Sequence, residues 1–276
     1  MDLSDTNHFV VFADMLGFAA LVEANPIDVR MLLASGRPGS MGWDNILKPK
    51  NPLTEAFSSF HNHLKWEIMM AEMSDPVTAV TFSDSVFFAT SNFVVAATFA
   101  TRLTHSMLST RVPVRVGIAH GSFAAVRFRS EISPESGDHA AQFLGTAVVR
   151  ACQTEKCGIK GMRVLLHPSL EPLLGEAGAS ESISPSGNAG PHRFLKVASA
   201  ELDNSIRVRY ELNYWDLAAM KERKAWHSFQ DMWTAAPAFT ANHYQATAEA
   251  IDRMRVDQGE LPLNNLRRRV VPRRPR

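Results

Sequence analysis

The sequence predicts an α+β fold laid out as strand-helix-strand-strand-helix-strand, with further strands and helices behind it. Short apolar runs of strand type stop abruptly at acidic turns: residues 8–13 before Asp14, and residues 77–82 before Ser83-Asp84. Two long stretches with helical spacing, residues 53–72 and 92–109, fall between the strands. The chain has 276 residues and is 45% hydrophobic, enough for one sizeable core plus an appendage, or for two small domains.

The elements follow in order. His-Phe-Val-Val-Phe-Ala reads as a buried strand ending at Asp14, and Gly17 opens an apolar, Ala-rich helical pattern. Residues 30–52 are rich in Gly and Pro and read as a loop or insertion. After the helix at 53–72, a strand at 77–82, a tight Ser83-Asp84 turn and a strand at 85–90 form a hairpin. Asn92 is the expected cap of the helix that runs to about Ser109. A strand at 112–120, a turn at Gly121 and a strand at 122–128 come next, then a polar loop at 130–139. A helix at 144–156 stops before Gly158, and a strand occupies 162–166. Strand-helix-strand-strand-helix-strand is the ferredoxin-like βαββαβ plan.

Residues 175–190 shift to Gly, Ser, Ala and Pro and predict an exposed linker; 192–215 read as two strands. The remainder is helical, with Trp226, Phe229 and Trp233 as anchors. The expected division is a catalytic domain at 1–174, a linker at 175–191, strands and helices packing on the core at 192–262, and a basic disordered tail at 263–276.

Composition narrows the function. A formal net charge of +1 gives no bulk electrostatic argument for a nucleic-acid partner. The most apolar stretch, residues 92–108, contains Arg102 and His105 and is too short and polar to span a membrane. Two cysteines, Cys152 and Cys157, in one predicted helix fit a reducing compartment, and Asp2 and Asp5 stand where a secretion signal would be basic. A cytoplasmic protein is expected. His61 and His63 lie two apart on a helix, which does not put both on one face, so no metal site is expected there.

The chemistry concentrates at two acids. Asp14 ends the first strand and Asp84 sits in the hairpin turn, and this topology makes those strands neighbours. Two carboxylates at adjacent strand ends suit hard divalent cations, Mn²⁺ or Mg²⁺. The turn Met15-Leu16-Gly17-Phe18 enters a helix, where free N–H groups suit a phosphate chain. Together they predict a nucleoside triphosphate site.

Four segments in order carry a resemblance to class III nucleotide cyclases. Phe-Ala-Asp-Met-Leu-Gly-Phe (12–18) resembles their first metal motif, and Phe-Ser-Asp-Ser-Val (82–86) the second, with Ser83 where Gly is usual. Arg-Val-Gly-Ile-Ala-His-Gly (115–121) resembles the strand and turn that follow, and Leu-Gly-Thr-Ala-Val-Val-Arg-Ala (144–151) a helix entry. The resemblance implies two metal ions held by Asp14, Asp84 and the Met15 backbone, and triphosphate binding at Leu16, Gly17 and Phe18. It also implies a homodimer with its sites at the interface.

Departures bear on the base. The Lys or Glu by which such enzymes read purines falls at Val80, and the second reading position at Gln142; neither is of the usual type. With Phe82 as filler, a pyrimidine pocket is expected. The chain then resembles the compact bacterial pyrimidine cyclases of anti-phage systems. These convert UTP or CTP to a 3′,5′-cyclic monophosphate that acts on a separate effector, and UTP is favoured here. The alternatives are a purine cyclase with a rewired pocket and an inactive nucleotide-binding or dimerisation domain. The usual transition-state Asn and Arg fall at Val149 and Gln153, leaving Arg150, or Arg115, as the substitute cation.

Overall fold

The computed structural model describes residues 7–26, 51–129, 138–173, 193–216 and 218–263. The first strand, β1 (His8–Met15), has side chains buried on both faces, so it belongs in the middle of a sheet. It pairs antiparallel with β3 (Ser85–Thr90) on one side and β4 (Val114–Gly121) on the other, and β2 (Val77–Thr81) pairs with β3 at the edge. Helices α1 (Phe18–Ala24) and α2 (Pro52–Glu72) lie between β1 and β2 in the chain, and α3 (Phe93–Ser109) between β3 and β4. The order β2-β3-β1-β4, all antiparallel, is the ferredoxin-like arrangement that the sequence predicts.

Beyond β4 come a two-stranded ribbon, β5 (Ala124–Arg129) with β6 (Asp138–Leu144), then helix α4 (Thr146–Glu155) and strand β7 (Val164–Leu166), parallel to β4. Strand β6 corrects the sequence reading, which leaves Asp138 and His139 in a loop. Their pairing partners, Arg129 and Phe128, come from a strand earlier in the chain and not from local periodicity. The loop at 30–50, the linker at 175–190 and the basic tail lie outside the described residues.

Strand β8 (Phe194–Lys196) and β9 (Tyr210–Leu212) extend the main sheet to β2-β3-β1-β4-β7-β9-β8. Helices α5 (Ala219–Ala235) and α6 (Ala241–Asp257) follow. Phe194, Leu212, Trp226, Phe229, Trp233 and Ile251 share one apolar cluster with β1, α2 and α3, so the C-terminal segment completes the core. A buried ion network ties it down: Arg163 beside β7 pairs with Glu211 of β9 and Glu201, and Arg253 of α6 reaches Glu211.

Alternation along β1 gives the sheet two unlike faces. Phe9, Val11, Ala13 and Met15 face α2 and α3 in the large cluster. Val10 and Phe12 face the opposite way, toward Phe87, Ala89, Ala119 and the small residues Ala147 and Ala151 of α4. Gly117 allows that approach: a Cβ there would lie 2.3 Å from the Ala151 carbonyl oxygen. Asp14 is in step with Val10 and Phe12 and so belongs to the α4 face.

Candidate active site

The two acids of the sequence motif are brought together. Asp14 is the last β1 residue opposite β3, paired with Ser85, and Asp84 is the residue before Ser85. The Met15 amide donates to the Asp84 carbonyl oxygen at 2.8 Å, joining the two strand ends directly. A second bond, from the Phe82 amide to the Ser85 carbonyl oxygen at 2.8 Å, closes the two-residue Ser83-Asp84 loop. The Ser83 hydroxyl donates to Asp84 Oδ1 at 3.2 Å.

Asp14 sits in an unfavourable field for a carboxylate. Burial, then the negative charges of Glu155 and Asp84, raise its pKa from 3.8 to about 6, against weaker opposition from Lys156 and Arg115. Its carboxylate has no hydrogen bond or ion pair among the described residues. Two neighbouring acids, the first without an ion-pair partner among the described residues, fit a divalent cation. No group of three or more His, Cys, Asp or Glu side chains suited to a metal occurs among the described residues.

Behind the pair, the glycine turn is narrower than its sequence suggests. The Leu16 amide donates to the Pro113 carbonyl oxygen at 2.8 Å and the Met15 amide to Asp84, so neither is free for phosphate. The amides of Gly17 and Phe18 have no acceptor among the described residues. Gly17 adopts φ 79°, the left-handed conformation that turns the chain into α1. Leu16 as a phosphate donor is therefore corrected, and Gly17 and Phe18 remain.

Arg150 is corrected as well. Its guanidinium donates from Nη1 to the His120 carbonyl oxygen at 2.9 Å. His120 pairs with Phe9 on β1, five residues from Asp14 and so roughly 16 Å away along the strand at about 3.3 Å per residue. Position 150 projects toward the far end of β4, whereas Val149 and Gln153 are, with Thr146, the exposed positions of α4. Arg115 does lie beside Asp14 in the β1–β4 register, but it is engaged: Nη2 meets Glu155 Oε1 at 2.5 Å and Nη1 donates to the Ile159 carbonyl oxygen. A cation near Asp14 that reasoning from sequence did not name is Lys156. It caps α4, is exposed, lowers the Asp14 pKa, and has no ion-pair partner among the described residues.

The base-pocket residues are placed in part. Val80 pairs with Phe87 and so shares the α4 face, half-buried. Phe82 is 45% exposed and stands edge-on to Phe87 and Phe143, at ring-centroid distances of 6.2 and 6.3 Å. Phe12 stacks on Phe87 at 4.5 Å, so an aromatic ladder borders the acid pair. Gln142 lies on β6 opposite Val126, and its side chain is outside the described set. His120, at the far end of β4, packs its ring against Phe9.

Fold and site together define a ferredoxin-like α+β domain with two acids at adjacent central strand ends. No protein-family model matches the sequence, and no curated protein does. Solved structures resemble it in shape. The guanylyl cyclase Cya2 is 10% identical with a TM-score of 0.46, over 75% of this chain and 91% of that one. The adenylyl cyclase CyaB from P. aeruginosa is 14% identical with a TM-score of 0.41, over 75% and 93%. An adenylate cyclase from Trypanosoma brucei, in its monomeric state, is 16% identical with a TM-score of 0.46, over 77% and 91%. Likeness this low says nothing about what this chain does.

Proposed function

We propose that the chain is a metal-dependent nucleotide cyclase that converts UTP, or CTP, to the 3′,5′-cyclic monophosphate and pyrophosphate. The observation that carries this reading is the Asp14–Asp84 pair: two acids joined through the Met15–Asp84 backbone bond, with no ion pair to Asp14 among the described residues. When bound there, two Mn²⁺ or Mg²⁺ ions would lower the pKa of the ribose hydroxyl and offset the triphosphate charge. Asp14, Asp84 and the Met15 backbone would hold them. The Gly17 and Phe18 amides would orient phosphate oxygens, and Phe82, exposed beside the acid pair, would border the base.

Pyrimidine preference rests on Val80, which brings no polar atom to the face where purine readers stand in the resembling enzymes. A homodimer is supported by the apolar side chains exposed around α4, Leu144 and Val149 together with Phe82. We place the protein in the cytoplasm, its product acting on a separate effector in anti-phage defence. No helix among the described residues is long and apolar enough to cross a membrane. The test is incubation of the full chain with each of the four NTPs and Mn²⁺, with products identified by mass spectrometry. Cyclic UMP or cyclic CMP is expected at least tenfold above cyclic AMP and cyclic GMP, about 1.4 kcal/mol of differential transition-state binding. A dominant purine product would overturn the base assignment, and no cyclic product from any NTP would overturn the activity.

One observation favours the inactive domain as the second reading. Both arginines near the motifs are engaged structurally, and Val149 and Gln153 carry no positive charge. Activity then requires another cation, and Lys156 is a candidate among the described residues, its charge acting on Asp14.

A further inference from the structure

The Asp84 turn is held from a direction that neither acid motif announces. His61 lies on α2, is 9% exposed, and places Nε2 at 3.2 Å from the carbonyl oxygen of Ser83, the residue before Asp84. A carbonyl can only accept, so Nε2 carries the hydrogen and the ring is fixed as the Nε2–H donor. The ring itself is confined by its own helix: Phe57 lies at 4.3 Å and Phe60 edge-on at 5.3 Å.

The loop needs such a support. Phe82, Ser83, Asp84 and Ser85 lie between the last pair of the β2–β3 ladder, Thr81 with Val86, and Phe82 and Ser83 beside Asp84 are exposed. The two backbone bonds of the loop use the Asp84 and Ser85 carbonyls and leave the Ser83 carbonyl to His61. The Asp84 peptide is thus fixed on one side by β1, through Met15, and on the other by α2, through His61. Rotation of the Ser83–Asp84 peptide would swing the carboxylate away from Asp14, and a shared cation tolerates little of that.

We infer that His61 is a positioning residue that sets the Asp84 carboxylate against Asp14 for divalent-cation binding. This rests on the two-acid metal reading above. It acts through the loop peptide and not as a metal ligand.

The experiment measures Mn²⁺ binding to the full chain directly, by titration with the paramagnetic ion, alongside the thermal midpoint. His61→Phe keeps a ring of similar size without the donor; His61→Gln keeps a donor. The Phe variant should fold with a midpoint within a few degrees of wild type yet bind Mn²⁺ about tenfold more weakly, and the Gln variant should recover most of that loss. A residue that only packs would change the midpoint and leave Mn²⁺ affinity alone. Wild-type Mn²⁺ affinity in the Phe variant, or failure of Gln to rescue, would overturn the inference. Should the Phe variant fail to fold, Gln against Asn, which keeps the donor but cannot extend it as far, gives the same comparison: Gln tighter than Asn supports the inference, equal affinities overturn it. Wild-type protein that binds no Mn²⁺ would remove the metal reading itself, and the inference with it, a result distinct from a variant that matches a binding wild type.

Discussion

Replacing Asp14 with Asn should make the metal-free protein more stable while abolishing turnover. The pKa of Asp14 rises from 3.8 in the unfolded chain to about 6 in the fold, chiefly through burial and then through the charges of Glu155 and Asp84. For an acid, that sign means the ionised carboxylate works against folding. The penalty is absent below about pH 4, where both states are protonated, grows between pH 4 and 6, and is constant above pH 6. Two pKa units at about 1.4 kcal/mol each set a ceiling of about 3 kcal/mol. Solvent on the open side of Asp14 reduces this to about 1–2 kcal/mol. For a chain of this size the gain corresponds to a rise of about 3–6 °C in the thermal midpoint. The assay is thermal unfolding of wild type and Asp14→Asn from pH 4.5 to 8, in chelator and in excess Mn²⁺. The variant should gain on wild type as pH rises to 6 and hold a constant lead above it. Excess Mn²⁺ should close the gap by stabilising only the wild type. Equal midpoints at every pH, with no Mn²⁺ effect on either protein, would refute the argument that Asp14 waits for a cation.

Asp84→Ala should reduce cyclic nucleotide formation at least a thousandfold while the far-ultraviolet circular dichroism of the protein is unchanged, and chelation of wild type should do the same reversibly. Arg115→Met should cost about 3–5 kcal/mol in denaturant unfolding, because it strands Glu155, which is 2% exposed, without its cation. The double variant Arg115→Met with Glu155→Leu should recover much of that loss. Gly117→Ala should destabilise by about 1–3 kcal/mol, since the new methyl would press on the Ala151 carbonyl and lift α4 from β4.

Strands and their ends were legible because the sequence encodes them locally. The run His-Phe-Val-Val-Phe-Ala is apolar on both faces, which fits only a central strand, and its end puts Asp14 where the hairpin turn delivers Asp84. The cap at Asn92 was legible for the same reason: its side chain accepts from Val94 and Val95 within one turn. Side-chain directions were not legible. Whether Arg150 points to the acids or to the end of β4 depends on where α4 lands on the sheet, and Gly117 and Ala151 set that through a contact between elements. Pro113, just before β4 and about a hundred residues further along the chain, takes the Leu16 amide, so the phosphate-turn pattern overstated its free donors. The His61–Ser83 bond was invisible for a related reason. The spacing of His61 and His63 answers whether the two share a face of α2, but not what either one meets across the fold. The site is thus specified in two layers: strand periodicity fixes which residues arrive at the central strand ends, and contacts between helix and turn fix which of their atoms remain free to bind.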